Sequence, residues 1–138
     1  METKSITPTY VTLAQAKLLK KKNFNVSTLN WYHKGTKKLN RNDLLCSMNK
    51  LTDNYSAPEQ WQVVEYLRVN HNIDLQAVCN YGRLGRTYKM GIIFINKEKE
   101  VDTIFLRPID MPYSFIEFNS PQEAYSAAFD YIKENNLI

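Results

Sequence analysis

Apolar residues recur at helical spacing in three segments of the chain, and each segment lies between the same two kinds of end signal. At each start, a hydroxyl residue is followed three positions later by Gln or Glu, which is the pattern of a capping box. At each end, Asn precedes a large apolar residue, which favours a left-handed helix cap. These signals predict helices over residues 13–22, 57–71 and 121–135. The predicted caps are Thr12, Ser56 and Ser120 at the starts and Asn23, Asn72 and Asn136 at the ends.

The spacing of apolar residues within these helices also predicts which side of each helix is buried. The predicted buried positions are Val11, Ala14, Leu18 and Leu19 for the first helix, Trp61, Val64 and Leu67 for the second, and Ala124, Ala127, Ala128, Tyr131 and Ile132 for the third. The alanines of the third helix favour close approach to a sheet.

Residues with strand propensity fill most of the remaining chain. Alternation and turn signals predict strands over residues 25–32, 74–81, 87–96 and 101–107, with a candidate fourth strand of the later group over 113–118. Residues 43–48 fit either a short strand or a helical turn. The centre of the second long strand, residues 91–95, is apolar on both faces, which predicts a covered, central position.

The order of these elements predicts the fold class. Consecutive strands joined by short turns form hairpins, and the helices are segregated from the strands in sequence. We therefore expect an α+β fold in which three capped helices pack on a mainly antiparallel sheet of three to five strands. A length of 138 residues predicts a single domain over residues 1–138, with residues 1–10 as a loose lead-in.

Targeting signals and cysteine usage bear on where the protein acts. No apolar run approaches the ~20 residues of a membrane span, and the polar N-terminus lacks the apolar core of a secretory signal. Cys46 and Cys79 are the only cysteines, and free thiols fit them better than a disulfide framework does. These features predict a cytoplasmic protein that makes no membrane contact.

Side chains that carry catalytic or metal chemistry are scattered along the chain. Cys46, His71 and Cys79 lack the short spacing of a zinc site, and His33 stands alone. A Cys79 nucleophile with His71 as its base would also need an orienting group and an oxyanion site. No phosphate-binding loop or dinucleotide fingerprint is present. We therefore expect no enzyme activity, no metal and no cofactor.

Basic residues are concentrated in two places. The formal net charge is +4, and the first 70 residues carry its excess, including the lysines at 20–22, 34, 37 and 38 and Arg41. Such asymmetry fits an anionic partner, and it equally fits a charged surface that only confers solubility.

The second basic stretch, residues 81–89, is the strongest candidate site. It combines three cations, two tyrosines and two glycines, and its candidate nucleic-acid-binding residues are Tyr81, Arg83, Arg86, Tyr88 and Lys89. Arginine forks fit phosphate oxygens and tyrosines stack on bases. The alternative is a plain hairpin loop, in which glycines supply positive φ and arginines face water. A KH-type Gly-x-x-Gly loop is excluded by context, because it joins two helices.

Three phrases of the sequence carry a resemblance to other proteins. They run over residues 12–19, 56–68 and 119–128 and are similar to small uncharacterised proteins encoded by bacteriophages and prophages of gut Bacteroides-type bacteria. The resemblance covers the three helices and implies no activity and no functional residues. It implies a setting, namely synthesis in a bacterial cytoplasm from a phage or mobile-element gene.

The sequence as a whole favours a non-enzymatic accessory protein of phage type that binds a protein partner through a sheet edge or an aromatic surface. Tyrosine and tryptophan are enriched at binding surfaces, and the chain has nine tyrosines. The alternative function is nucleic-acid binding by the 81–89 hairpin together with the basic N-terminal half.

Overall fold

The computed structural model describes residues 7–111 and 113–138 and contains three helices and two three-stranded antiparallel sheets. The helices are α1 (Leu13–Lys21), α2 (Gln60–His71) and α3 (Pro121–Glu134), and the strands are β1 (Thr28–His33), β2 (Leu39–Cys46), β3 (Asn54–Ser56), β4 (Ile73–Gly82), β5 (Gly85–Ile95) and β6 (Val101–Phe105). The predicted α+β class is confirmed. The predicted single sheet differs from the structure, which has two sheets with strand orders β2-β1-β3 and β4-β5-β6.

The chain divides into two compact units, with the boundary between Gln60 and Trp61 at the start of α2. The first unit holds α1 and the sheet β2-β1-β3, and the second holds nearly all of α2, the sheet β4-β5-β6 and α3. The expectation of a single domain stays a prediction. Residues 1–6 of the expected lead-in lie outside the described residues, and the Thr9 carbonyl accepts a hydrogen bond from the Gln60 N–H at 2.8 Å.

The two ends of α1 follow the predicted signals. The Thr12 hydroxyl accepts from the Gln15 N–H at 3.3 Å, and the Gln15 side chain accepts from the Thr12 N–H at 3.0 Å, so the capping box is complete. At the other end, Asn23 has φ of 61°, and the Phe24 N–H returns to the Leu19 carbonyl at 2.9 Å. This left-handed cap places Phe24 in the core with no exposed surface.

The predicted buried face of α1 is wrong in part. Ala14 is exposed, and the buried residues of this helix are Gln15, Ala16 and Leu19. Gln15, whose amide closes the capping box, is among the buried residues, so the buried face lies about one position away from the one that the apolar pattern predicts. Val11, which precedes the helix, is buried as predicted.

The predicted capping box at Ser56 is wrong, and α2 begins at Gln60 rather than at residue 57. Ser56 belongs to β3, where its N–H donates to the Asn49 side-chain oxygen at 2.8 Å and its hydroxyl accepts from the Asn49 N–H at 3.2 Å. The next N–H, that of Ala57, donates to the Asn30 carbonyl of β1. The Ser56 hydroxyl therefore accepts from Asn49, which precedes it by seven residues, and does not cap α2.

Two further expectations for α2 have different outcomes. Trp61 is 64% exposed, and Val63 and Leu67 are the apolar residues of the helix that are buried, so the predicted face is wrong for Trp61. The predicted end is confirmed, because Asn72 has φ of 53°. This cap turns the chain directly into β4 at the buried Ile73.

The sheet β4-β5-β6 confirms the predicted hairpins. β4 pairs with β5 from Ile73↔Phe94 to Gly82↔Gly85, and β5 pairs with β6 from Gly91↔Phe105 to Ile95↔Val101. The central position of β5 is confirmed. The expectation that residues 91–95 are buried on both faces is only partly met, because Ile92 is fully buried, Ile93 is half-buried and Ile95 is exposed. α3 packs against β4 and β5, with Ala124, Ala128, Phe129 and Ile132 buried.

The candidate fourth strand over residues 113–118 does not form. In its place, Phe118 makes an isolated antiparallel bridge with Tyr88, through hydrogen bonds of 2.8 and 2.9 Å. Ile116 donates to the Leu106 carbonyl at 3.0 Å. Residues 107–111 and 113–117 therefore belong to a connection that backbone hydrogen bonds fix to the sheet at its two ends.

Candidate nucleic-acid interface

The 81–89 stretch is a tight hairpin. Gly82 pairs with Gly85, which leaves Arg83 and Leu84 as a two-residue loop with both side chains exposed. Gly85 has φ of +115°, a conformation that side-chain-bearing residues rarely adopt. The positive φ expected of a hairpin glycine is therefore found at Gly85, and the loop presents Arg83 at the tip.

Strand alternation divides the predicted site residues between the two faces of the sheet. Tyr81 pairs with Arg86 and Cys79 pairs with Tyr88, so Tyr81, Arg86 and Tyr88 share the face on which Leu75, Met90 and Ile92 are buried and against which α3 packs. Lys89 pairs with Val78 and lies on the opposite face. The five predicted residues therefore do not form one continuous surface.

On the α3 face, Arg86 lies over the ring of one tyrosine. Its guanidinium carbon lies 5.1 Å from the centre of the Tyr81 ring, within the range of a cation–π contact. The side-chain hydrogen bond with Tyr88 is the main cause that raises the pKa of Arg86. The contact that the geometry shows for Arg86 is therefore the one with Tyr81, whose ring is exposed.

On the opposite face, two phenylalanines contact each other, and one of them, Phe105, lies beside Gly91. Gly91 pairs with Phe105 across the β5–β6 ladder, and a Cβ at Gly91 would stand 3.3 Å from the Phe105 ring. Phe105 in turn meets Phe115 edge-to-face, with ring centres 5.4 Å apart. The missing side chain of Gly91 thus makes the room in which Phe105 lies on the sheet and supports Phe115.

Two cations converge on the Phe115 ring. The Lys89 ammonium lies 4.7 Å from the ring centre, and the Arg107 guanidinium carbon lies 5.1 Å from it. We call Lys89, Phe105, Arg107 and Phe115 the cationic–aromatic cluster. Of its members only Lys89 is predicted from the sequence; the other three come from β6 and the connection after it. The alternation of side chains along β5 would place Lys89 and Arg86 on opposite faces of the sheet. It cannot predict that Phe115, which lies outside the strands, contacts Lys89.

The outer edge of β6 is a second candidate interface. Leu106 donates to the Met90 carbonyl at 3.1 Å, and hydrogen-bonded pairs alternate in an antiparallel ladder. The Ile92–Ile104 pair is therefore hydrogen-bonded, and the backbone groups of Thr103 and Phe105 point away from β5. Asp102 caps this edge locally, because its carboxylate accepts the Thr103 N–H at 2.9 Å. Among the described residues, no other strand pairs with this edge.

A depression of about 390 Å³ lies at the β6 edge, lined by Thr103, Ile104, Phe105, Arg107 and Tyr131. Large apolar side chains are exposed close by in the chain. Val101 is 74% exposed, and in the connection Ile109 is 99% and Tyr113 is 96% exposed. Outward-facing backbone groups on a strand that also exposes an apolar side chain, here Val101, are features by which a sheet edge accepts a further strand.

The lysines at 20–22, 34, 37 and 38 and Arg41 belong to the first unit, and Lys20 has a structural role. The Lys20 ammonium donates to the carbonyls of Leu51, Thr52 and Asn54 and lies 5.2 Å from the centre of the Tyr55 ring. Lys20 thereby ties α1 to the segment around β3. Lys34, Lys37, Lys38 and Arg41 are exposed in and around the β1–β2 turn.

The residues considered for catalysis or metal binding lie in separate places. His71 ends α2 with its Nε2 3.1 Å from the Tyr66 hydroxyl, and Cys79 is exposed in β4. Cys46 lies in β2, with its sulfur 3.3 Å from that of Met48. Within residues 7–111 and 113–138, no three His, Cys, Asp or Glu side chains group together as a metal site would require.

Comparisons with known proteins add no family. No protein-family model, curated protein or solved structure matches the chain. None of the helices in the described part of the chain has the length and apolar character needed to cross a membrane.

Proposed function

We propose that the protein is a non-enzymatic interaction protein that binds an extended segment of a protein partner along the outer edge of β6. The observation that carries this proposal is the outward backbone of Thr103 and Phe105 beside the depression that Ile104 and Tyr131 help to line. A bound strand would take hydrogen bonds from the edge and bury apolar side chains in the depression and against Val101.

The setting is part of the same proposal. The resemblance of the helical phrases to phage and prophage proteins supports an accessory role inside a bacterial cell. Edge strands without lysine, proline or a bulge are open to pairing with other chains, and Val101–Phe105 has none of these. Asp102 is the one side chain seen to occupy an outward N–H of this edge, and a partner strand would displace it.

Proline at position 103 tests this binding mode. The Thr103 N–H points away from β5, so Thr103→Pro removes an outward donor and adds a ring at the edge without breaking the β5–β6 ladder. A net loss of about 1 kcal/mol for the hydrogen bond alone weakens partner binding roughly fivefold. The matched control is Thr103→Val, which keeps the N–H and the branched shape.

The assay is capture of partners from a lysate of the native host by the tagged wild type, Thr103→Pro and Thr103→Val, followed by affinity measurement on the captured partner. We expect the wild type and Thr103→Val to bind the same stoichiometric partner with equal affinity, and Thr103→Pro to bind it roughly fivefold more weakly. Equal affinity of all three proteins for the partner would refute strand addition at β6. Absence of any stoichiometric partner on the wild type would refute the interaction function itself.

Nucleic-acid binding is the second candidate function. The observation that favours it is the gathering of cations on aromatic rings at this end of the sheet, at Tyr81 and at Phe115. Arg83→Ala combined with Arg86→Ala is expected to weaken oligonucleotide binding at low salt while leaving the circular dichroism spectrum unchanged. Binding that is unaffected by these changes would remove the hairpin from the interface.

A further inference from the structure

β2 forms one edge of the sheet β2-β1-β3, and in the described part of the chain only β1 pairs with it. The Asn30 carbonyl of β1 accepts from the Ala57 N–H at 2.8 Å, so the backbone of Asn30 faces β3. Because this direction alternates along a strand, the backbone of Trp31 faces β2 and forms a hydrogen-bonded pair with Asn40. The backbone groups of Arg41, the next residue of β2, therefore point away from β1 into the open edge.

The side chains of this edge strand are largely exposed. They include three leucines, at positions Leu39, Leu44 and Leu45. Arg41 and Asp43 are exposed as well, and within the described residues neither forms an ion pair. The register with β1 becomes irregular after Arg41, and residues 42–45 have no Cα partner on β1. This half of β2 is extended but lacks a regular partner strand.

The sequence of β2 is complementary to itself when two copies pair antiparallel about Asn42. This register places Arg41 of each copy opposite Asp43 of the other, so two pairs of opposite charge face each other across the edge. It also places Leu39 opposite Leu45. Charged side chains on an edge strand usually keep copies apart. Here they attract, because a twofold axis at Asn42 brings unlike charges together.

We propose that two copies of this chain associate through β2, in an antiparallel strand pair centred on Asn42 that joins their sheets into one of six strands. The outward backbone of Arg41 supplies hydrogen bonds, and the two Arg41–Asp43 pairs fix the register. An interface of two short strands belongs to the small class, which buries less than about 1,200 Å² in total. The dimer is therefore in reversible equilibrium with the monomer. The inference goes beyond the proposed function, which uses β6 in the second unit.

Charge reversal tests the register. Sedimentation equilibrium measures self-association in about 0.15 M salt, where a Debye length of about 8 Å limits the repulsion between the basic first units. Arg41→Asp alone and Asp43→Arg alone each place like charges opposite each other twice, so each should weaken self-association about tenfold or more. An equimolar mixture of the two variants should associate again, because every pair across the edge is then of opposite sign. Restored association also shows that both variants are folded.

The control variants make the same changes in net charge elsewhere. Lys97→Asp and Glu98→Arg lie in the exposed β5–β6 turn of the second unit, and each should self-associate like the wild type. Mixing them should add nothing. This comparison separates a contact at β2 from a general attraction between proteins of different net charge.

Disulfide formation tests the position of the twofold axis, in a background of Cys46→Ser with Cys79→Ser. Asn42→Cys should cross-link two copies on mild oxidation, because the central pair of the proposed register lies within disulfide range. Leu44→Cys is the matched control. Its two copies would stand four residues apart along the strands, about 13 Å, which is too far for a disulfide.

Each contrary result overturns the proposal or its register. A wild type that remains monomeric at the highest concentration overturns the dimer and leaves the β6 proposal unaffected. A mixture of Arg41→Asp and Asp43→Arg that associates no better than either variant overturns the charge pairing. Leu44→Cys that cross-links as fast as Asn42→Cys contradicts the register. Self-association that Thr103→Pro abolishes and Arg41→Asp does not affect would place the contact at β6 instead.

Discussion

Replacing Gly91 tests the packing on which the cationic–aromatic cluster depends. Gly91 is buried in β5 opposite Phe105, and a Cβ built on it lies 3.3 Å from the ring Cε1 and 3.6 Å from Cζ. The single methyl of Gly91→Ala requires the ring to shift slightly. The branched side chain of Gly91→Val has to displace the ring and, with it, the edge-to-face contact between Phe105 and Phe115.

The two substitutions should therefore differ in their effect on the free energy of unfolding. Removing glycine from the unfolded chain stabilises by about 0.4–1 kcal/mol, which offsets the tight contact in Gly91→Ala and leaves a net change below about 1 kcal/mol. Gly91→Val adds an overpacking cost of about 1–3 kcal/mol and loses an aromatic pair worth about 0.5–1.5 kcal/mol. We expect a net destabilisation of about 2 kcal/mol for valine.

Urea unfolding followed by tryptophan fluorescence measures both values, and Trp61 lies in the same unit as Gly91. Repeating the two substitutions in a Phe105→Ala background isolates the contact with the ring, because neighbouring sites couple in such a cycle. The cost of valine should fall by about 1 kcal/mol or more in that background. An equal cost with and without the Phe105 ring, or a Gly91→Val protein as stable as the wild type, would refute the packing account.

The remaining predictions concern helix ends and one ion pair. Asn136 has φ of 51°, so Asn136→Ala should lower the unfolding free energy by about 1 kcal/mol while Asn136→Gly does not, as measured by thermal melts; equal effects would contradict the left-handed cap. The hydrogen bond with Arg68 lowers the pKa of Glu65. A lowered carboxyl pKa contributes stability above the unfolded-state pKa that is lost as pH falls through the folded-state value, so the small stability difference between wild type and Arg68→Gln should disappear in acid. The NMR titration of Glu65 should move upward in Arg68→Gln, and an unmoved titration would show that the pair does not form in solution.

The sequence predicted the ends of the helices better than their starts and faces. All three predicted Asn caps have positive φ, at 61°, 53° and 51°, because a left-handed helix end depends only on the residue itself and its neighbours. The starts at Thr12 and Ser120 are also found, although Glu123 accepts from the Asn119 N–H rather than from Ser120. The start at Ser56 fails because Asn49 competes for the hydroxyl.

The candidate site was predicted only in its hairpin. The Gly82–Gly85 turn follows from local turn chemistry, and the division of Arg86 and Lys89 between faces follows from strand alternation. The partners of Lys89 depend on the register that puts Gly91 opposite Phe105 and on the path of residues 107–117. Neither is encoded in local spacing, so Arg107 and Phe115 could not be assigned to the site from the sequence.

Amide hydrogen exchange along β6, measured by NMR on the isolated protein, tests the central claim most directly. If the outer edge of β6 is open to a partner strand, the Ile104 amide, which faces β5, should be protected, and the Phe105 amide, which faces outward, should exchange at least about tenfold faster. Addition of the captured partner should then slow exchange at Phe105. Equal protection of Ile104 and Phe105 in the isolated protein would contradict the claim, because it would mean that this edge is already covered.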